Sequence, residues 1–143
     1  MLFAPVFSDF HLFDEIYGIS NIPTEKANAY LKIFEIEDKI YFDSYKFSNI
    51  KLSTGQRKRL ALISAMLEKK PILILDEFAA DQDPYFKKKF YTEIIPFIRS
   101  EGFTIVAITH DDNYYQYCTK RYKMDGGKMM FVGPDIEIVN TFA

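Results

Sequence analysis

An α/β fold, with a mostly parallel sheet flanked by helices, is predicted by three observations. Two apolar segments, Pro71-Ile72-Leu73-Ile74-Leu75 and Phe103-Thr104-Ile105-Val106-Ala107-Ile108, lack strict polar alternation and end in Asp76-Glu77 and Thr109-His110. Strands that read as near-continuous hydrophobic runs are those covered on both faces, as in parallel sheets. Segments of helical period separate the strands, so strand, helix, strand, helix and strand follow one another as in a doubly wound sheet. The third observation is length: 143 residues suit one domain, and a chain of this size buries roughly 70% of its unfolded surface on folding.

Met1–Phe7 is apolar and aromatic and reads as a first strand that passes into a loop at Ser8-Asp9, before the apolar group Phe10, Leu12 and Phe13. Thr24 has the character of a helix cap. Ala27, Tyr30, Leu31 and Phe34 then recur at helical spacing, which predicts a helix over Thr24–Glu35. The aromatics Tyr41, Phe42, Tyr45 and Phe47 within Glu37–Lys51 fit either short strands or a loop packed on the core. Leu60, Ile63, Ala65, Met66 and Leu67 follow a capped start and stop at Glu68-Lys69-Lys70-Pro71, predicting a helix over Thr54–Lys69. Another helix is expected over Pro84–Arg99 and a short one over Asp112–Tyr117. Strands around Arg121–Met124 and Lys128–Val132 flank the turn at Asp125-Gly126-Gly127. No internal repeat, linker or low-complexity tract interrupts this order.

Composition excludes several classes of function. Eighteen Lys and Arg against 20 Asp and Glu give a net charge of −2, which argues against a broad basic face for nucleic acid, since counterion release needs clustered cations. A hydrophobic content of 48% rules out disorder. Uncharged stretches such as Met1–Ser8 and Gly102–His110 fall short of the roughly 20 apolar residues of a membrane-spanning helix. The first basic residue is Lys26, so no secretory leader is expected. Cys118 has no partner for an internal disulfide and reads as a small buried hydrophobe.

Three constellations carry chemistry. A rigid apolar strand delivers Asp76 and Glu77 to the C-terminal edge of the sheet, where open α/β sheets bind ligands; an acidic pair capping the next turn is the plainer alternative. Leu52-Ser53-Thr54-Gly55-Gln56 opens a helix, where unpaired N–H groups and the helix dipole favour an anion. Gly55 lets a phosphate approach the backbone. Arg57-Lys58-Arg59 puts three cations in that first turn, an unfavourable place unless something negative is near; an ordinary Ser cap with a solvated basic face reads the same way. His110 stands on the tip of another strand, followed by Asp111 and Asp112. A neutral imidazole there can hydrogen-bond a phosphate and its attacking water, although a lone histidine is more often structural.

The order and spacing of these features resemble the second half of an ATP-binding cassette (ABC) ATPase, a P-loop NTPase-like fold, over almost the whole chain. Leu52–Gln56 matches the family signature LSxGQ, Ile72–Glu77 the Walker B strand with its catalytic glutamate, Ala80-Asp81-Gln82-Asp83 the D-loop, and His110 the switch histidine. Arg57–Leu62, Asp76–Pro84 and Phe7–Phe13 are further similar to the cyclic-peptide and siderophore exporters related to syringomycin and microcin transporters. The resemblance implies that residues 1–143 form a partial ATPase domain, comprising Q-loop region, signature helix, Walker B, D-loop and H-loop. It also implies a place on the cytoplasmic face of a bacterial inner membrane, through a transmembrane domain outside this chain.

What the resemblance implies for the site is specific. ATP and Mg²⁺ are the expected substrate and cofactor. Two ATPase domains, a homodimer in the simplest case, form a head-to-tail pair in which Ser53, Thr54, Gly55 and Gln56 contact ATP held by the other domain. Asp76 serves Mg²⁺ through water, while Glu77 and His110 act on ATP of their own domain, and Asp83 links the two sites across the interface. Phe10–Tyr17 lies where the family couples to its membrane domain, or else packs in the core. Two departures stand beside this. The only Gly-Lys, Gly127-Lys128, is followed by Met129 and lacks the earlier glycine of Gly-x-x-x-x-Gly-Lys-[Ser/Thr], so the Walker A part is missing. Alignment of Val6–Phe13 puts Ser8, with Asp9 beside it, at the position of the Q-loop glutamine. The fold is therefore expected to be incomplete at its N-terminus, with turnover only when a phosphate loop is restored. A non-catalytic partner of an intact ATPase, or a soluble ABC ATPase of DNA repair or translation, are the rival roles.

Overall fold

A computed structural model of the chain describes residues 2–6, 22–43, 46–48 and 51–133. Ser8, Asp9 and the segment Phe10–Tyr17 lie outside them. The chain divides into two compact units, Met1–Thr109 and His110–Ala143.

In the first unit, strands β1 (Phe3–Val6), β4 (Ile72–Asp76) and β5 (Thr104–Ile108) form a parallel sheet of order β1-β4-β5. The register sets Ala4 beside Leu73 and Ile105, and Val6 beside Leu75 and Ala107. Residues level in this way share a face, and Ala4, Val6, Leu73 and Leu75 are all buried. The other face is more open among the described residues: Ile72 and Ile74 are half-buried, and Val106 and Ile108 are 48% and 51% exposed. Sequence alone predicts strands covered on both faces; among the described residues one is covered. Both crossovers run in the same direction across the sheet, and right-handed connections place their helices on that same side.

That side holds α1 (Thr24–Ile33), the small hairpin β2 (Phe42–Asp43) and β3 (Lys46–Phe47), α2 (Thr54–Leu67), α3 (Pro84–Lys89) and α4 (Ile95–Ser100). Thr24 does not cap α1: the residue at the cap position is Pro23, whose carbonyl accepts from the N–H groups of Lys26 and Ala27. The aromatic-rich segment resolves into the hairpin, with Phe42 and Phe47 packed ring to ring at 5.1 Å and both buried. Leu62, Ile63 and Met66 of α2 are buried, together with Phe34 and Ile36 just beyond α1. Tyr30 donates from its hydroxyl to Glu101 at 2.7 Å, tying α1 to the end of α4. That bond, reinforced by Lys26, holds the Glu101 carboxyl below its ordinary range.

A helix was expected over Pro84–Arg99, and it forms, but with a π turn at Phe90–Ile94 between α3 and α4. Its buried row, Phe86, Phe90, Ile94 and Ile98, advances by four residues. Four residues of α-helix turn about 400°, so such a row drifts about 40° per step. One under-wound turn returns it to a single face. Pro96, which has no N–H to give, follows directly.

The second unit consists of a short 3₁₀ segment, Asp112–Tyr117, and the antiparallel hairpin of β6 (Tyr122–Asp125) and β7 (Lys128–Phe131). Gly126 and Gly127 both have positive φ, 53° and 76°, as a tight two-residue hairpin turn requires. No described residue of this unit is buried. Cys118, expected in a core, is half-exposed, and its thiol donates to the Tyr115 carbonyl at 2.9 Å. No helix among the described residues is long and apolar enough to cross a membrane.

Candidate functional site

The head of α2 is built by its own sequence. Ser53 stands at the cap position in extended backbone, its hydroxyl accepting from the N–H of Gln56 at 3.3 Å, while the Gln56 side chain accepts from the N–H of Ser53 at 3.0 Å. This reciprocal capping box follows from Ser and Gln at a spacing of three. The regular helical bonds begin with the N–H of Arg57, which reaches Ser53 at 2.9 Å. Thr54 and Gly55 therefore present first-turn N–H groups outside the helix ladder, with the positive end of the dipole behind them. Ser53 and Thr54 are exposed and Gln56 is half-exposed, so this end of the helix is open to a ligand.

Gly55 is buried for a reason the sequence does not show. A Cβ built there would stand 2.7 Å from the backbone carbonyl of Asp81 and 3.2 Å from Oε1 of Gln82. The glycine is required by the loop after β4, whatever a phosphate also requires. Gln82, itself buried, donates from Nε2 to the carbonyl of Gly55 at 3.1 Å and closes the contact.

The cations of this turn also have local partners, which corrects the expectation that their placement signals phosphate. Lys58 is fully buried; its Nζ pairs with Asp81 at 2.5 Å and donates to the carbonyl of Glu77 at 2.9 Å. Arg59 lies with its guanidinium carbon 3.3 Å from the centre of the Phe86 ring. Its Nε donates to Gln82 at 2.8 Å and its Nη2 to Asp83 at 3.2 Å. Burial pulls the Arg59 pKa down, opposed by the carboxylates of Asp83 and Glu35; a guanidinium remains charged regardless. Of the three cations only Arg57 is exposed. Among the described residues, no buried side-chain nitrogen or oxygen lacks a hydrogen-bond partner.

Asp76 ends β4, half-buried and level with Ile108 of β5. The chain turns sharply at the next residue: Glu77 has φ 48° and ψ 37°, a left-handed conformation that costs a residue other than glycine about 1–3 kcal/mol. Surrounding bonds hold it there. Its N–H donates to the Ile108 carbonyl at 3.0 Å, and its own carbonyl accepts from Ala80 at 3.2 Å as well as from Lys58. Asp83 caps α3, accepting from the N–H of Phe86 at 2.9 Å. That backbone bond, with Arg59 in support, holds its carboxyl below the ordinary range.

The first unit thus brings together Ser53, Thr54, Gly55, Gln56, Asp76, Glu77 and Asp83, all on or tied to the α2 head and the loop after β4. His110 opens the second unit, exposed, its carbonyl accepting from the N–H of Asp112 at 3.1 Å. Asp76 stands at a strand tip with Glu77 next to it, and no group of three or more His, Cys, Asp or Glu is placed to hold an ion among the described residues. This donor set fits Mg²⁺ in the manner usual for that ion, where one or two carboxylates complete a shell of waters and substrate phosphates. Sequence reasoning missed Lys58, Arg59, Asp81 and Gln82 as the braces of the site. The signal for Lys58 and Arg59 was their basic character in a helix first turn, which demands a counter-charge.

Comparison with known proteins follows the same lines. The sequence profile of the ABC transporter family matches residues 3–80, just over half of the chain. The ATP-binding protein SyrD of Pseudomonas syringae pv. syringae is 46% identical over 130 residues, covering 88% of this chain and 23% of SyrD. The energy-coupling factor transporter ATP-binding protein EcfA1 of Mycoplasmoides gallisepticum is 30% identical over 126 residues, covering 87% of this chain and 45% of EcfA1. Among solved structures, cbiO1 of Clostridium perfringens, described as part of the ABC transporter complex cbiONQ, superposes with a TM-score of 0.68 at 26% identity. That match covers 93% of this chain and 57% of cbiO1. The chain spans less than half the length of either curated relative.

Proposed function

The chain belongs to the ABC transporter family of ATP-binding proteins, and from that premise we propose that it supplies the signature and carboxylate part of an ATP-hydrolysing domain that drives transport. The observation that carries this reading is the buried network joining the α2 head to the loop after β4. It ties the helix end, with first-turn N–H groups outside the ladder, to the loop that follows the strand-tip carboxylates.

Ser53, Thr54, Gly55 and Gln56 meet the terminal phosphate of an ATP held by a second ATPase domain. The hydroxyl of Ser53 accepts within its capping box and retains its own hydrogen to donate. Asp76 would hold Mg²⁺, which when bound would neutralise phosphate charge. Glu77 orients or deprotonates the attacking water, and His110 hydrogen-bonds the phosphate. Asp83 lies on the surface that meets the second domain, its carboxylate already engaged in its own chain. Two such domains paired head to tail close on ATP and reopen after hydrolysis, and differential affinity for the two states moves a transmembrane domain. The working place of the protein is the cytoplasmic face of a bacterial inner membrane. The resemblance of Arg57–Leu62, Asp76–Pro84 and Phe7–Phe13 to cyclic-peptide and siderophore exporters supports export of such a compound.

Glu77→Gln in the complete ATPase tests the reading. Turnover is expected to fall by about 10²–10⁴-fold while ATP stays bound; brisk hydrolysis would remove Glu77 from its role. A second reading starts from the signature turn, which is complete and exposed on the head of α2. In it the chain lends its signature face to an intact ATPase without completing an ATP site of its own. Titration of the chain alone with Mg-ATP tests what the two readings share: tight binding without a phosphate loop contradicts both.

A further inference from the structure

A lysine buried beneath a loop is costly unless its charge is answered, and Lys58 is answered from two sides of one short segment. Its Nζ reaches the carboxylate of Asp81 at 2.5 Å and the backbone carbonyl of Glu77 at 2.9 Å. The residue whose carbonyl it holds is in the left-handed region, at φ 48°. No glycine relieves that conformation, so neighbouring bonds must impose it. The N–H of Glu77 is fixed by β5 and its carbonyl by Ala80 and Lys58. Of these, only Lys58 comes from the helix whose first turn faces the phosphate in the reading above.

We propose that Lys58 is a positioning residue for Glu77: it fixes the turn that sets the direction of the Glu77 carboxylate, and Asp81 fixes Lys58. The head of α2 and the water-orienting carboxylate are thereby coupled, so that a ligand seated on Ser53–Gln56 bears on the Glu77 carbonyl directly through Lys58. This rests on the reading of Glu77 as the residue that orients water. Lys58 is fully buried and acts on the reaction through Glu77.

The test uses Lys58→Met, Lys58→Arg and Asp81→Asn in the complete ATPase. Methionine keeps the length of the side chain, and Asp81, whose side chain is 44% exposed, can turn to water when its partner is lost. Misplacing a reacting group by a fraction of its reach predicts a fall in kcat of about tenfold to a hundredfold, with KM for ATP within about twofold, since ground-state binding is untouched. Lys58→Arg, which keeps the charge and the donors, recovers part of kcat; Asp81→Asn lowers it in the same sense by a smaller factor. In single-turnover hydrolysis, Lys58→Met adds no loss on a Glu77→Gln background. In the chain itself, Lys58→Met speeds amide exchange over Glu77–Asp81 and leaves Leu73–Leu75 as before. Wild-type kcat in folded Lys58→Met overturns the proposal, as does an equal further loss on the Glu77→Gln background, or unchanged exchange over Glu77–Asp81. Should Lys58→Met fail to fold, Asp81→Asn decides: wild-type kcat there overturns the proposal and a lowered kcat supports it. Brisk turnover by Glu77→Gln would instead overturn the reading on which the proposal rests.

Discussion

In the first unit, Lys58 and Arg59 are buried and each directs its charge to the loop after β4, while in the second unit every described side chain from His110 to Val132 is exposed or half-exposed. The first arrangement surrounds polar groups with partners: Gln82, Asp81, Asp83 and the carbonyls of Gly55 and Glu77 all close on the head of one helix. The second displays Met124, Met129 and Phe131 at 65%, 67% and 61% exposure on a hairpin. A satisfied polar network fixes geometry, because each member would be costly to leave unpaired. The hairpin is held by its ladder, its turn and exposed contacts such as the Tyr122–Phe131 ring pair at 5.4 Å, which solvent competes with.

Paired substitutions sharpen this contrast, beginning with the largest expected effect. Phe86→Ala removes a fully buried ring that lies under Arg59 and is expected to cost about 3–5 kcal/mol. Phe131→Ala in the hairpin removes the same atoms from an exposed position, where the ring pairs with Tyr122 across the strands, and should cost no more than about 1 kcal/mol. Urea denaturation of the two variants measures both, and equal losses would dissolve the distinction between the regions. Gly55→Ala drives a methyl against the Asp81 carbonyl, an overpacking worth about 1–3 kcal/mol. Gly126 has open space around it and only a positive φ to satisfy. Asparagine, which tolerates that conformation, should therefore be accepted at 126 and rejected at 55; thermal melts of Gly55→Asn and Gly126→Asn give the answer.

The smallest effect concerns pH. The Asp83 carboxyl has its pKa lowered in the fold, first by the N–H of Phe86 and then by Arg59. A group depressed in this way contributes stability above its unfolded pKa of about 3.9 and loses it as pH falls through the lower folded value. Asp83→Asn keeps a capping oxygen and gives up the charge, so it should lie a few tenths of a kcal/mol to about 1 kcal/mol below wild type at neutral pH. The difference should close in acid. A gap that persists at pH 2 would mean that the capping oxygen, not the charge, distinguishes the two side chains.

Much of the frame was legible before any coordinate. A capped start ahead of Thr54 was read from the sequence, the unalternated run Ile72–Leu75 announced a strand, and a helix was expected from Pro84. These features depend on neighbours within about four residues. What escaped depends on distant ones. Lys58 meets Asp81 23 residues later, and the tight place of Gly55 is made by a carbonyl 26 residues away. Three adjacent cations therefore pointed outward to a phosphate when two of them point inward to their own chain.

The π turn at Phe90–Ile94 has a consequence for how this helix can change length. It accommodates one residue more than an uninterrupted α-helix would need to keep Phe86 and Ile98 in phase. Loss of a single codon inside the turn would leave a regular helix with its buried row nearly aligned, whereas loss of one anywhere else in Pro84–Ser100 would rotate that row by about 100°. In related sequences a one-residue gap is therefore expected within this turn, in the middle of a helix, where gaps are otherwise least tolerated.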